Sequence, residues 1–148
     1  VLHEKNLVVS TDPYLHVLNS INGTKIFKLS ITSIIKPIIS GKYIFLITKD
    51  NLLVCINLIS GKIIYSIDIS QEIAGYLDTK NKTIQIKLMS ILNGNLHIFL
   101  DNSYVVQFNN IGKIKKINKL PDKLGSLPIF INNSIMYLNK KNKLIIVN

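Results

Sequence analysis

The chain contains no Trp, no Arg, two Met and a single Cys. A lone cysteine, Cys55, closes no internal disulfide and completes no metal-binding motif, so neither a disulfide scaffold nor a thiolate metal site is expected. The lack of Arg removes the side chain that grips phosphate and guanine through two parallel hydrogen bonds. The net charge of +10 therefore rests on 18 Lys set against 8 acidic residues. Ile, Lys and Asn make up 63 of the 148 residues, a bias toward A/T-rich codons that accounts for the basicity without a polyanion. No nucleic-acid partner is expected. No apolar run reaches the length of a membrane-spanning helix, because the longest, Ile31 to Ile47, is broken by Lys36, Pro37, Gly41 and Lys42. The first thirty residues show no secretory signal, although a fragment would have lost one.

What is present is β-branched and repetitive. The 28 Ile favour strands, and Asp12 to Phe27 (DPYLHVLNSINGTKIF) recurs 38 positions later as Asp50 to Tyr65 (DNLLVCINLISGKIIY). A third copy starts at Asp101 with one residue fewer in its turn. Repeats of this spacing, built from short strands, are the signature of propeller blades. Alternation predicts strands over residues 7–10, 14–19, 25–29, 34–39, 43–48, 52–57, 62–67, 84–91, 96–100, 104–109, 113–117, 129–131, 134–138 and 144–147. Asn19, Asn57 and Asn109 each end a strand with a Gly three or four residues on, which is hairpin chemistry. Asn93-Gly94 marks another turn. Residues 70–83 read as a surface loop, with one or two helical turns available over residues 71–78. The expected fold is all-β: a partial β-propeller of about three to four blades of four-stranded antiparallel sheet, forming one domain over residues 1–148. The strand count predicts a chain that begins after the opening strand of one blade and stops before the closing strand of another, as part of a larger propeller.

The pattern of apolar strand, Asp or Asn, short turn, Gly-Lys and strand with an aromatic resembles the PQQ-like β-propeller repeat, clearest over Tyr43 to Asp68. Asn57 stands where that family usually has Asp, and Tyr65 where it usually has Trp; Phe27 holds the same place in the first copy and Lys116 in the third. The resemblance implies one of two roles. One is a quinoprotein dehydrogenase carrying pyrroloquinoline quinone and calcium; the other is a non-enzymatic propeller such as the BamB-type lipoprotein of outer-membrane β-barrel assembly. The dehydrogenase needs a catalytic Asp, calcium ligands, Cys or Trp surfaces for the quinone and Arg near its oxygens. With no Trp, Arg or Cys pair here, the scaffold reading is preferred, and no catalytic, cofactor-binding or metal residues and no cofactor are expected. A remnant of the dehydrogenase, or a decayed fragment without a role of its own, is the alternative. The resemblance then implies a periplasmic, outer-membrane-associated protein. Its partners would be assembly subunits or unfolded barrel strands, with room for self-association of half-rings.

Individual residues fit structural roles. His3, His16 and His97 lack metal-ligand spacing, and Cys55 aligns with Val17 and Ile146 at a packed apolar position. Asp12, Asp50 and Asp101 recur with the turns, whereas a catalytic pair arises once. Gly23, Gly61 and Gly112 are single turn glycines without a phosphate-binding motif. Asn22, Asn81 and Asn132 open chance glycosylation sequons. Lys113, Lys115, Lys116 and Lys119 form the densest charge; period two places Lys113 and Lys115 on one face and Lys116 on the other. They suit a solvated outer strand protected from edge pairing, and also permit contact with anionic headgroups at a membrane surface.

Overall fold

The computed structural model describes residues 1–80, 83–131 and 134–147. The chain divides into two compact units, Val1–Lys82 and Thr83–Asn148.

The first unit holds two four-stranded antiparallel meanders. One is β1 (Leu2–His3), β2 (Asn6–Ser10), β3 (Leu15–Asn19) and β4 (Lys25–Leu29). The other is β5 (Ile38–Ser40), β6 (Tyr43–Ile47), β7 (Leu52–Asn57) and β8 (Ile63–Asp68), followed by α1 (Ile69–Tyr76). Val8, Leu15 and Val17 of the first sheet pack on Ile44, Leu46, Val54 and Ile56 of the second, all buried. Full burial of such a side chain is worth about 1.5–3 kcal/mol, which is why alternating aliphatic positions select this face.

The second unit holds β9 (Ile86–Leu92), β10 (Asn95–Leu100), β11 (Tyr104–Phe108) and β12 (Ile114–Lys119) in one sheet. A three-stranded sheet follows, made of β13 (Ile129–Ile131), β14 (Ser134–Leu138) and β15 (Leu144–Val147). Phe99, Val105, Leu120, Leu124 and Tyr137 form its buried core, with Phe130, Ile135 and Ile145 against them.

Two expectations are corrected. The first sheet has its opening strand, β1, whose brevity hides any alternation; its Leu2 pairs with Leu7. The fourteen expected strands are therefore fifteen among the described residues. The strand expected over residues 34–39 is confined to Ile38–Ser40, because Pro37 offers no N–H to a ladder and restricts Lys36 before it. The one or two helical turns read over residues 71–78 are present as α1, a two-turn helix that starts slightly earlier, at Ile69. Asp68 caps it, its Oδ1 accepting from the Gln71 amide at 3.0 Å, the usual way to satisfy an orphan N-terminal donor.

The two hairpin turns of each copy are built by separate devices. Asn19, Asn57 and Asn109 use the side-chain Oδ1 to accept backbone amides two to four residues on, at 2.9–3.1 Å. Gly23, Gly61 and Gly112 then take left-handed φ of 72°, 69° and 81°. In the preceding turns, Asn51 (φ 59°), one residue after Asp50, and Ser103 (φ 70°), two after Asp101, also turn left-handed, and Asn142 (φ 58°) does so in the last sheet. The first copy has Pro13 there, whose ring holds φ negative; its Asp12–Pro13 peptide bond is cis.

Candidate functional site

Antiparallel pairing lines up one residue from each strand in a row on the same sheet face. In the first sheet one such row is Val8, Val17 and Phe27. In the second, the row is Ile38, Phe45, Cys55 and Tyr65. The three-stranded sheet has Ile129, Met136 and Ile146. All these positions are apolar or aromatic apart from the cysteine thiol and the tyrosine hydroxyl. The equivalent row of the β9–β12 sheet is Ser90, His97, Gln107 and Lys116. Four consecutive positions have turned polar together.

The polar row faces the neighbouring three-stranded sheet within the second unit: the His97 and Phe130 rings lie 6.4 Å apart, and Phe99, on the same face as His97, lies 6.1 Å from Phe130. Exposure rises along the row, from His97 at 9% through half-buried Gln107 to exposed Lys116. The His97 Nδ1 lies 3.2 Å from the Asn95 carbonyl. A carbonyl only accepts, so Nδ1 carries the proton and Nε2 is left as the acceptor nitrogen. Burial holds the His97 pKa below the ordinary histidine range, against the opposing pull of that carbonyl. The imidazole is therefore neutral near pH 7. Among the described residues, the side chains of Ser90, Gln107 and Lys116 make no hydrogen bond. They are also not sealed in, since the Tyr65 hydroxyl is the buried side-chain polar atom without a partner in that set. The signal in the sequence was available: the third copy departs from the other two at the positions of Val17 and Phe27. Only the register shows that Ser90 and His97 belong to the same row.

The remaining predicted residues stay apart. His16 stacks edge-on with Tyr14 at 6.0 Å, and His3 sits on β1. No three of the described His, Cys, Asp or Glu gather as a metal site would require. Cys55 is buried, and desolvation pushes its thiol up to about 11 despite the nearby Tyr65 hydroxyl. Tyr65 is raised as well, by burial first and then by Cys55. The Tyr65 hydroxyl has no nitrogen or oxygen partner, and the thiol it faces across the β7–β8 pair is a weak one. Asp12 accepts from Thr32 Oγ1 at 3.2 Å, while Asp50 and Asp101 lie in turns. Of the four clustered lysines, Lys113 lies in the turn before β12, so the period-two argument does not reach it. Lys115, Lys116 and Lys119 are exposed on β12, an edge strand. Lys115 Nζ donates to Asn95 Oδ1 at 3.2 Å. Asn22 is exposed, and its Oδ1 accepts from the Thr24 amide and hydroxyl at 3.0 and 2.8 Å. The sequons opening at Asn81 and Asn132 begin outside the described residues.

Sequence reading missed one polar cluster. Asp122 Oδ2 accepts from Asn139 Nδ2 at 2.6 Å, and the Tyr137 hydroxyl donates to the Asp122 carbonyl at 2.8 Å. The Lys123 amide, then Asn139, hold the Asp122 carboxyl below the usual aspartate range. Lys87 Nζ donates to the Leu124 carbonyl. These bonds tie the 120–128 link to β14 and the turn after it and, through Lys87, to β9, a structural task, and their members lie too far apart in sequence to be read as a set. In the first unit an open pocket of about 370 Å³ is lined by Val8, Ser10, Ser33, Ile35 and Lys36 among others. Its Ser33 hydroxyl is already engaged by the Ile35 carbonyl at 2.6 Å. No helix among the described residues is long and apolar enough to cross a membrane.

The fold is similar to that of BamB from Moraxella catarrhalis, with a TM-score of 0.75 at 14% identity over 99% of this chain. It is similar to the computationally designed Ika4 protein, with a TM-score of 0.67 at 9% identity, covering 99% of this chain and 86% of that one. Hsv2 from Kluyveromyces lactis gives a TM-score of 0.59 at 15% identity over 94% of this chain. The chain spans less than half the length of BamB and Hsv2, 41% and 40%. No family model matches the chain, and no curated protein matches it. At these identities the likeness shows the fold alone, a partial β-propeller of antiparallel sheets.

Proposed function

We propose that this chain is a non-enzymatic protein-interaction scaffold, resembling the propeller component of outer-membrane β-barrel assembly and working in the periplasm beside the outer membrane. The observation that supports it is the fold shared with BamB along 99% of the chain, joined to a repeat pattern that resembles the PQQ-like family but carries none of its quinone-gripping residues. Propellers offer loops and sheet faces to partner proteins while their blades stay rigid. Its partners are then barrel-assembly subunits or unassembled barrel segments.

Photo-crosslinking of the purified chain in bacterial envelope extracts tests this. The expected product is an adduct with a β-barrel assembly subunit or an unassembled barrel protein. Adducts confined to cytosolic proteins would remove the reading.

A further inference from the structure

We infer that the outer part of the Ser90–His97–Gln107–Lys116 row is a binding site for an extended peptide segment that carries a carboxylate, laid over β11 and β12 with its inner end at the His97 Nε2 edge and the carboxylate at Lys116. The inference rests on the scaffold reading and names the chemistry of one partner contact.

The first argument is substitution in kind. The equivalent row in the first sheet is core: Val8 and Val17 are 1% and 0% exposed, and Phe27 lies against the next sheet, its ring 3.0 Å from where a Gly61 Cβ would stand. An apolar row there gives full burial energy. Replacing it by four polar side chains, of which only His97 has a hydrogen-bond partner, the local Asn95 carbonyl, forfeits that energy, and a sheet gains nothing from it. Groups left unsatisfied but open to solvent are what a polar ligand needs.

The second argument is the order of the groups. Moving from the buried strand to the edge, the row presents an acceptor at His97 Nε2, a two-way amide at Gln107 and a cation at Lys116. An extended peptide offers the complement in sequence: an amide N–H, a carbonyl and an amide, then a carboxylate. Strands lie about 4.8 Å apart, so His97 to Lys116 covers about 10 Å, the length of about three extended residues. Phe130, beside the His97 ring, supplies an apolar surface for a side chain of the ligand.

The third argument is charge. Residues 83–148 carry nine Lys against two Asp, a net +7 out of the chain's +10. Of those two carboxylates, Asp122 is committed to Asn139 and the Lys123 amide, and Asp101 lies in the β10–β11 turn. An anionic segment is drawn to this unit from a distance.

Titration of the full 148-residue chain with fluorescein-labelled pentapeptides of Thr and Val, followed by anisotropy, tests the site. One peptide ends in a free carboxylate, a second in an amide, and a third in an amide with Glu at its fourth position. The free acid is expected to bind about tenfold more tightly than the amide, the worth of one charge-assisted hydrogen bond. Equal binding of the Glu peptide assigns the site to acidic side chains, and its failure assigns it to chain termini. Lys116→Met, at an exposed position that leaves the fold alone, should erase the preference. Converting the row to the pattern of the second sheet with Ser90→Ile, His97→Phe and Gln107→Cys should abolish binding and raise the thermal midpoint. Loss of stability in that triple variant would mean the polar row serves the fold, and would overturn the inference. So would a Lys116→Met chain that still prefers the acid, or the absence of binding by all three peptides. Envelope crosslinking that persists alongside such a failure leaves the scaffold reading standing and removes only this site.

Discussion

Tyr65 shows how one atom can oppose the position it occupies. Its ring fills the aromatic place that Phe27 fills in the first sheet, yet its hydroxyl is buried against Cys55 without a nitrogen or oxygen partner. A buried hydroxyl without a partner costs about 1–3 kcal/mol, partly relieved here by the thiol. Tyr65→Phe is therefore expected to stabilise the chain by about 0.5–1 kcal/mol, read as a higher urea midpoint at unchanged slope. A lower midpoint would mean that the hydroxyl–thiol contact is a real hydrogen bond. The aromatic place itself was legible, because the 38-residue shift puts Phe27 over Tyr65. The missing partner was not, because it depends on which side chains the sheets bring to that spot.

At the scale of elements, the turns carry the repeat. Gly23 and Gly61 hold nearly the same left-handed φ, but an added Cβ meets nothing at Gly23 and the Phe27 ring at 3.0 Å at Gly61. Gly23→Ala should cost about 1–2 kcal/mol, the left-handed penalty alone. Gly61→Ala should cost more, and the excess should vanish when Phe27 is shortened to Ala, a double-mutant cycle measured by chemical denaturation. Equal costs at the two glycines would show that the ring moves away freely. The Asn-x-x-x-Gly spacing from Asn19 to Gly23 and from Asn57 to Gly61 was enough to predict both turns. The opening strand β1 and the helix α1 were harder: two residues show no alternation, and the cap at Asp68 is a single hydrogen bond.

At the scale of the molecule, each unit holds a buried apolar cluster of its own. We propose that residues 1–148 nevertheless fold as one propeller domain. Val17→Ala in the first cluster and Val105→Ala in the second are each expected to cost about 1–3 kcal/mol, close to one methyl-pair deletion with its cavity. Each should shift a single unfolding transition that hydrogen exchange reports at the same midpoint in both units. Two separated midpoints would assign two domains instead.

The sequence alone determined the local choices: strands where Ile, Leu and Val alternate, and hairpins where Asn and Gly fall at fixed spacing. It also determined the repeat that makes the sheets alike. Those depend on a few neighbouring residues, and local sterics and hydrogen bonding settle them. The tertiary structure decided what the sheet faces are for. Ser90, His97, Gln107 and Lys116 are spread over 27 positions of chain and become one surface only through strand register. The Asp122–Asn139 bond likewise joins residues 17 apart. A one-residue slip would send every member of the row to the opposite face, so its chemistry belongs to the pairing and not to any segment of the chain.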